Sequence, residues 1–176
     1  MFSDMRMLTE KRMIYVANVS EAELAAQGAT AARALAERAA KCGAPCVVIC
    51  AKVEEDLAGV NEAERAEFME SYGITESGLD LIAKSGYETL GLQSFLTAGP
   101  KEVRAWTIRK GWTARKSAGV IHKDFERGFI RAMVISFDDF VAHGGEQPCK
   151  AAGLSRMEGK DYVMKDGDVV EFLFNV

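Results

Sequence analysis

KRMIYVAN, residues 11–18, holds an unbroken apolar, β-rich run at 13–17 and ends on a polar amide. A run without alternation suits a strand buried on both faces, as in a parallel sheet. Ser20 or Glu21 then opens an alanine-rich stretch. In it Ala31, Leu35, Ala39 and Cys42 are spaced for one helical face, with Arg33, Glu37, Arg38 and Lys41 elsewhere. Gly43 predicts the helix end. After Pro45 a second apolar run, CVVICA at 46–51, repeats the strand signal. Strand, helix, strand at this spacing is a β-α-β unit, so the first part of the chain is α/β.

Working outward, Asn61 is placed to cap a helix over 62–72 with Ala63, Ala66 and Phe68 at apolar positions, stopped by Gly73. A further helix is expected over 79–90, with Leu79, Ile82, Ala83 and Tyr87 at helical spacing. Downstream of Gly91 the pattern predicts strands over 93–97 and 103–108, and a turn at Lys110-Gly111 back into Trp112 and Thr113. A helix over 114–122, a strand over 128–135 and a Ser136-capped helix over 137–143 follow. Strands at 162–164 and 169–174 flank the turn KDGD, 165–168. This order is a mixed sheet with one crossing helix, an α+β domain. Two domains are expected, 1–91 and 92–175.

Composition narrows the function classes. The chain has 176 residues and a net charge of −4. No apolar run approaches about 18 residues, so no membrane span is expected. The first residues lack the basic start and apolar block of a secretory signal, which points to the cytoplasm. Between 101 and 131, nine basic residues face only Glu102, Asp124 and Glu126, which suggests a negatively charged partner. Cys42, Cys46 and Cys50 are spaced by four with no histidine nearby, so no zinc site is expected. They and Cys149 read as small buried apolar residues, with a redox-sensing thiol as the alternative. His122 reads as a hydrogen-bonded structural residue. No catalytic set emerges.

Two short segments carry candidate chemistry. Asn18-Val19-Ser20-Glu21 directly follows a buried strand, and ligands of open α/β sheets bind at the carboxyl ends of strands. An asparagine there can give and take a hydrogen bond in the plane of a purine edge. Cys50-Ala51-Lys52, at the end of the next strand, has backbone N–H groups that could meet the same base from the other side. Taken alone, an asparagine and an acid after a strand are most often a helix cap.

The segments YVANVSE (15–21), CAKVE (50–54), LQSFLTAGPKEVRAWTI (92–108), AGVIHKDFERGFI (118–130) and EGKDYVMKDGDVVEFLFNV (158–176) together resemble the YchF family of Obg-like ATPases. The resemblance covers nearly the whole chain and is dense from Gln93 onward. It implies an α/β remnant of a P-loop nucleotide-binding domain followed by a TGS domain, a ubiquitin-like β-grasp thought to help bind RNA or ribosomes. The family's base-specificity motif is N-x-x-E, matched by Asn18 and Glu21. The resemblance implies that Asn18 holds the adenine edge of ATP, that Val19 packs near the base, and that Cys50 and Ala51 form the last base-contacting loop. A glutamate in place of aspartate is expected to spoil the bidentate grip on guanine.

No G-x-x-x-x-G-K-[ST] string occurs, and the family's magnesium-binding threonine and D-x-x-G loop are not expected in this chain. The parent's Mg²⁺ ligands are thus not expected here. The chain is expected to read only the base, and not to hydrolyse ATP alone. The strand at 13–17 would lack its usual neighbours, leaving a sheet edge that favours self-association. Arg109-Lys110-Gly111-Trp112 and Arg115-Lys116-Ser117 depart from the family's usual pattern by adding charge and an aromatic residue. With Arg104 they are the candidate contacts to RNA or the ribosome. A non-catalytic RNA- or ribosome-binding adaptor is the alternative function.

Overall fold

Two short apolar strands, Tyr15–Asn18 (β1) and Cys46–Ile49 (β2), pair in parallel in the computed structural model, which describes residues 7–26, 30–99 and 102–175. Tyr15 lies opposite Cys46 and Asn18 opposite Ile49. The chain divides into two compact units, Met1–Leu90 and Gly91–Val176.

In the first unit the helix expected between the strands is two helices, Glu21–Ala25 (α1) and Thr30–Lys41 (α2), with 27–29 outside the described residues. Ser20 caps α1 in a reciprocal box with Glu23. Ala32 and Ala39 of α2 are buried and Leu35 half-buried, whereas Ala31 and Cys42, expected on the same face, are exposed. A stretch this rich in alanine has no unique apolar phase. The packing of Ala17 with Ala32, Val19 and Leu35 sets it.

Burial of the strands on both faces is not observed. Ala17 and Val47 are buried, but Val16 is 41% and Val48 39% exposed. Double-sided burial needs a wider sheet covered on both sides. Here α2 lies against Ala17, and the helix Gly78–Leu90 (α5) begins against Ile49. That arrangement leaves Val16 and Val48 open.

Ala51–Gly59 (α3) starts directly after β2, a boundary that the continuous apolar run at 46–51 conceals. Cys50, Val53 and Leu57 form a small core with Leu24, Phe68, Met69, Tyr72 and Ile74. Glu62–Ser71 (α4) is capped by Asn61, whose Oδ1 accepts the Glu64 N–H at 3.0 Å. Its inward residues are Phe68 and Met69, while Ala63 and Ala66 are exposed. Along α5, Ile82 is half-buried, but Leu79, Ala83 and Tyr87 face outward. The start of α5 is tightly seated. Glu54 of α3 accepts the N–H groups of Gly78 at 2.7 Å and Leu79 at 3.3 Å, satisfying donors the helix leaves orphaned. A Cβ on Gly78 would fall 2.5 Å from Ile49 Cγ2.

The second unit is a five-stranded mixed sheet. Leu92–Ala98 (β3) and Val103–Arg109 (β4) pair antiparallel, with 100–101 outside the described residues. Ala114–Ile121 (α6) and Lys123–Arg127 (α7) lead to Phe129–Ile135 (β5). Phe137–Ala142 (α8), Glu146–Ala151 (α9), Arg156–Glu158 (β6) and Val169–Phe174 (β7) complete it. The strand order is β4-β3-β7-β5-β6, with β7 parallel to β3 and antiparallel to β5. Phe95, Ile108, Ala114, Ala118, Val134 and Phe172 form the core, where the Phe95 and Phe172 rings meet edge to face at 5.7 Å.

The turn expected at Lys110-Gly111 forms, with the Trp112 N–H on Arg109 O at 3.2 Å, but it does not fold Trp112 and Thr113 back onto the strand at 103–108. The antiparallel partner of β4 is β3, and Gly111, at φ 84°, turns the chain toward α6. The expected strand at 162–164 reduces to a single bridge between Val163 and Thr113. The unanticipated elements α7, α9 and β6 span only three to six residues, too few for a periodic signal. The 165–168 turn is held from inside. Buried Asp168 accepts the Lys165 N–H at 2.8 Å and the Tyr162 hydroxyl at 3.0 Å, and Asp166 accepts the Ser94 N–H at 2.8 Å. Among the described residues no helix is long and apolar enough to cross a membrane.

Candidate functional site

The carboxyl ends of β1 and β2 lie side by side, and the residues after them converge. Asn18 is exposed at the end of β1, and its Oδ1 accepts the Ala51 N–H at 3.0 Å. That bond ties the end of one strand to the first residue of α3. The half-buried Val19 continues the ladder by donating its N–H to Ile49 O at 2.8 Å. With Oδ1 engaged by Ala51, the Asn18 amide still has its Nδ2 donors and a second Oδ1 lone pair for a ligand in the same plane. The Ala51 N–H, expected to face a base, is given to Asn18 instead. Cys50 is 3% exposed inside the α3–α4 core, so only its backbone can take part.

Glu21, at the start of α1, is brought to the same end of the sheet. Its Oε2 lies 3.0 Å from Lys52 Nζ, and its Oε1 accepts the Tyr72 hydroxyl at 3.3 Å. The Lys52 hydrogen bond, ahead of every other influence, holds the Glu21 carboxyl below its ordinary range and Lys52 correspondingly above its own. Desolvation, with Glu21 beside it, pushes the Tyr72 phenol up. All three groups therefore keep their usual protonation near neutral pH. The sequence offered a weak hint of Lys52, one residue past Ala51 and opposite in sign to Glu21. Tyr72 is 51 residues from Glu21 and gave no hint.

The basic candidates of the second unit do not form one patch. Arg104 lies on β4 with its guanidinium 4.3 Å from the centroid of the Trp106 ring and 3.7 Å from Glu102. Arg109 is five residues further along the same strand, so it points to the opposite face. Lys110 is exposed at the strand end. Trp112 is half-buried against the core, with Lys116 Nζ 4.2 Å from its ring centroid. A base could stack there only after displacing Lys116. Arg115 donates from Nε to Glu126 O at 3.0 Å. His122 accepts the Asp124 N–H at its Nδ1 and caps α7, a structural role.

Of the cysteines expected to be buried, Cys50 and Cys149 are, but Cys42 is exposed and Cys46 half-buried; all four are free thiols. Cys42 lies at the end of α2, where the face turns outward. Among the described residues no group of three or more His, Cys, Asp or Glu side chains is arranged to hold a metal ion.

Residues 92–175 match the family model YchF-GTPase_C, described as a protein of unknown function (DUF933). The chain is 52% identical over 169 residues to the ribosome-binding ATPase YchF of Escherichia coli O157:H7, covering 96% of this chain and 46% of that protein. It is 49% identical over 173 residues to the ribosome-binding ATPase YchF of Bacillus subtilis, covering 98% and 47%. The solved structure of the Schizosaccharomyces pombe YchF GTPase superposes with a TM-score of 0.82 at 33% identity, over 98% of this chain and 46% of that one. The chain thus spans about half the length of the relatives it matches. An identity near one half, sustained from the first strand to the last, and a shared mixed α/β fold place it firmly: the chain belongs to the YchF family.

Proposed function

We propose that residues 1–91 are the base-reading part of a P-loop-type nucleotide domain and that residues 92–175 are a TGS-type β-grasp domain that meets the ribosome or RNA. The observation that carries the first half is the Asn18–Ala51 link. It presents an exposed side-chain amide beside Val19 at the paired ends of two parallel strands, where α/β folds bind ligands. Such an amide can donate from Nδ2 to a purine ring nitrogen and accept from an exocyclic amine at Oδ1. Asn18 would hold the adenine of ATP, with Val19 against the ring and the loop at Cys50 and Ala51 closing the far side.

When bound, ATP with Mg²⁺ supplies the phosphoryl chemistry of the relatives named as ATPases. The residues described in this chain offer the base edge only. Isolated, the protein should bind adenine nucleotides weakly and turn over no ATP. Phosphate release above background, abolished by Asn18→Ala, would overturn that expectation.

The second half rests on the strand order β4-β3-β7-β5-β6. Counted within the unit it reads 2-1-5-3-4 around one packed helix layer, as a β-grasp requires. Relatives named as ribosome-binding support the partner, in a cytoplasmic setting. Arg104 over Trp106 and Lys116 over Trp112 are the cationic contacts most suited to a phosphate backbone. These two pairs also favour the alternative of a non-catalytic RNA- or ribosome-binding adaptor. Charge reversal at Arg104, Arg109, Lys110, Arg115 and Lys116 should weaken ribosome co-sedimentation and flatten its salt dependence. Unchanged binding would show these side chains to be merely solvated.

A further inference from the structure

At the base end of the first unit, the acid of the N-x-x-E motif is already engaged. Each carboxylate oxygen of Glu21 has its own donor, Lys52 Nζ on Oε2 and the Tyr72 hydroxyl on Oε1. The donors come from different elements, Lys52 from the first turn of α3 and Tyr72 from the C-terminal end of α4. Tyr72 is itself fixed, with its ring 5.2 Å from Phe68 and packed on the Cys50, Val53 and Leu57 core. Asn18 is held by a different device, its Oδ1 on the Ala51 N–H, which leaves its Nδ2 free to read a ligand.

This difference matters for base choice. A carboxylate selects guanine by accepting two parallel N–H groups, from N1 and from the 2-amino group, one on each oxygen. Adenine has neither donor on that edge. We propose that Lys52 and Tyr72 are specificity-determining positioning residues. By occupying one Glu21 oxygen each, they withdraw the carboxylate from the base edge and leave Asn18 to read the base, so that adenine is admitted and guanine is not selected. The proposal rests on the base-site reading above and extends it to residues outside the N-x-x-E motif. Glu21 and Lys52 side chains are 37% and 66% exposed, so the Lys52 arm is open to salt screening. The Tyr72 arm, a neutral hydroxyl on a packed ring, is the steadier of the two.

The test is a titration of the 176-residue chain with AMP, IMP and GMP, read from the amide NMR signals of residues 18–21 and 50–52. Wild type should bind AMP at least as tightly as GMP. In Lys52→Met/Tyr72→Phe the GMP-to-AMP affinity ratio should rise about tenfold, the scale of a good bidentate base contact. IMP, with N1–H but no 2-amino group, should fall between. Tyr72→Phe alone keeps the ring packing and removes only the hydroxyl. It should move the ratio the same way by a smaller factor, which preserves the test if the double variant fails to fold. A ratio unmoved in folded variants, while Asn18→Ala abolishes the AMP shifts, overturns this proposal and leaves the base site standing. Absence of nucleotide-induced shifts at residues 18–21 and 50–52 in wild type overturns both.

Discussion

Gly78→Ala probes the seat of α5 against the end of β2, beside the loop proposed above to read a base. The added Cβ would lie 2.5 Å from Ile49 Cγ2, 2.9 Å from Ile49 Cβ and 3.0 Å from Glu54 Oε1. The carboxylate oxygen can swing aside, but Ile49 is the last residue of β2 and its Cβ moves only with the backbone. Overpacking of this kind costs about 1–3 kcal/mol. Alanine's helix propensity returns at most about 1 kcal/mol, and less in a first turn. The expected net loss is therefore about 1–2 kcal/mol, or a urea midpoint lowered by about 1 M at the slopes usual for small domains. Both tryptophans, Trp106 and Trp112, lie in the second unit, so their fluorescence is blind to this change at its source. The assay is urea unfolding followed by the amide NMR signals of β1 and β2, with tryptophan fluorescence reporting the other unit. Ile49→Ala removes the atom of closest conflict, so the double variant should be less destabilised than the sum of the singles by about 1 kcal/mol. An unchanged midpoint in Gly78→Ala, or strict additivity with Ile49→Ala, would refute the steric reasoning.

Asn18→Ala removes the acceptor for the Ala51 N–H and should cost the first unit about 0.5–1.5 kcal/mol, measured by the same urea series, together with all AMP-induced shifts. The Tyr162 hydroxyl, desolvated first and bonded to Asp168 second, is pushed up from 10.0 to about 12. Its folded form holds the proton more tightly than the unfolded one, so this stabilisation is complete below pH 10 and is lost as pH rises toward 12. Tyr162→Phe should flatten that alkaline limb in thermal melts, and an identical limb in the variant would exclude Tyr162 as its source. The open residues Val16 and Val48 should make the protein self-associate. Sedimentation velocity should give a concentration-dependent mass that Val16→Lys/Val48→Lys abolishes, and a monomer at every concentration would argue against it.

Much of the architecture was legible because its signals are local. Asn61 and Ser136 sit where a cap must sit, and Lys165-Asp166-Gly167-Asp168 makes the turn its composition demands. Asn18 and Glu21 were legible by position, immediately after an apolar run. What the sequence concealed depends on contacts between distant residues. The carboxylate of Glu21 is governed by Lys52 and Tyr72, 31 and 51 residues away. The phase of α2 is chosen by Ala17, because alanine stripes are ambiguous around a helix. Trp112 stands among charges in the chain yet leans on the core, since the turn at Gly111 carries it inward toward α6.

The position of β4 at the margin of its sheet has a practical consequence. Among the described residues it pairs only with β3, and Val103, at its start, is 72% exposed. An unpaired strand margin invites a second chain to zip onto it, and long cationic side chains are a common deterrent. Arg104 and Arg109, on opposite faces of this strand, are therefore gatekeepers against aggregation as well as candidate ribosome contacts. Neutralising them would conflate lost binding with lost solubility, whereas glutamate at both positions keeps the strand guarded and changes only the sign of what it offers.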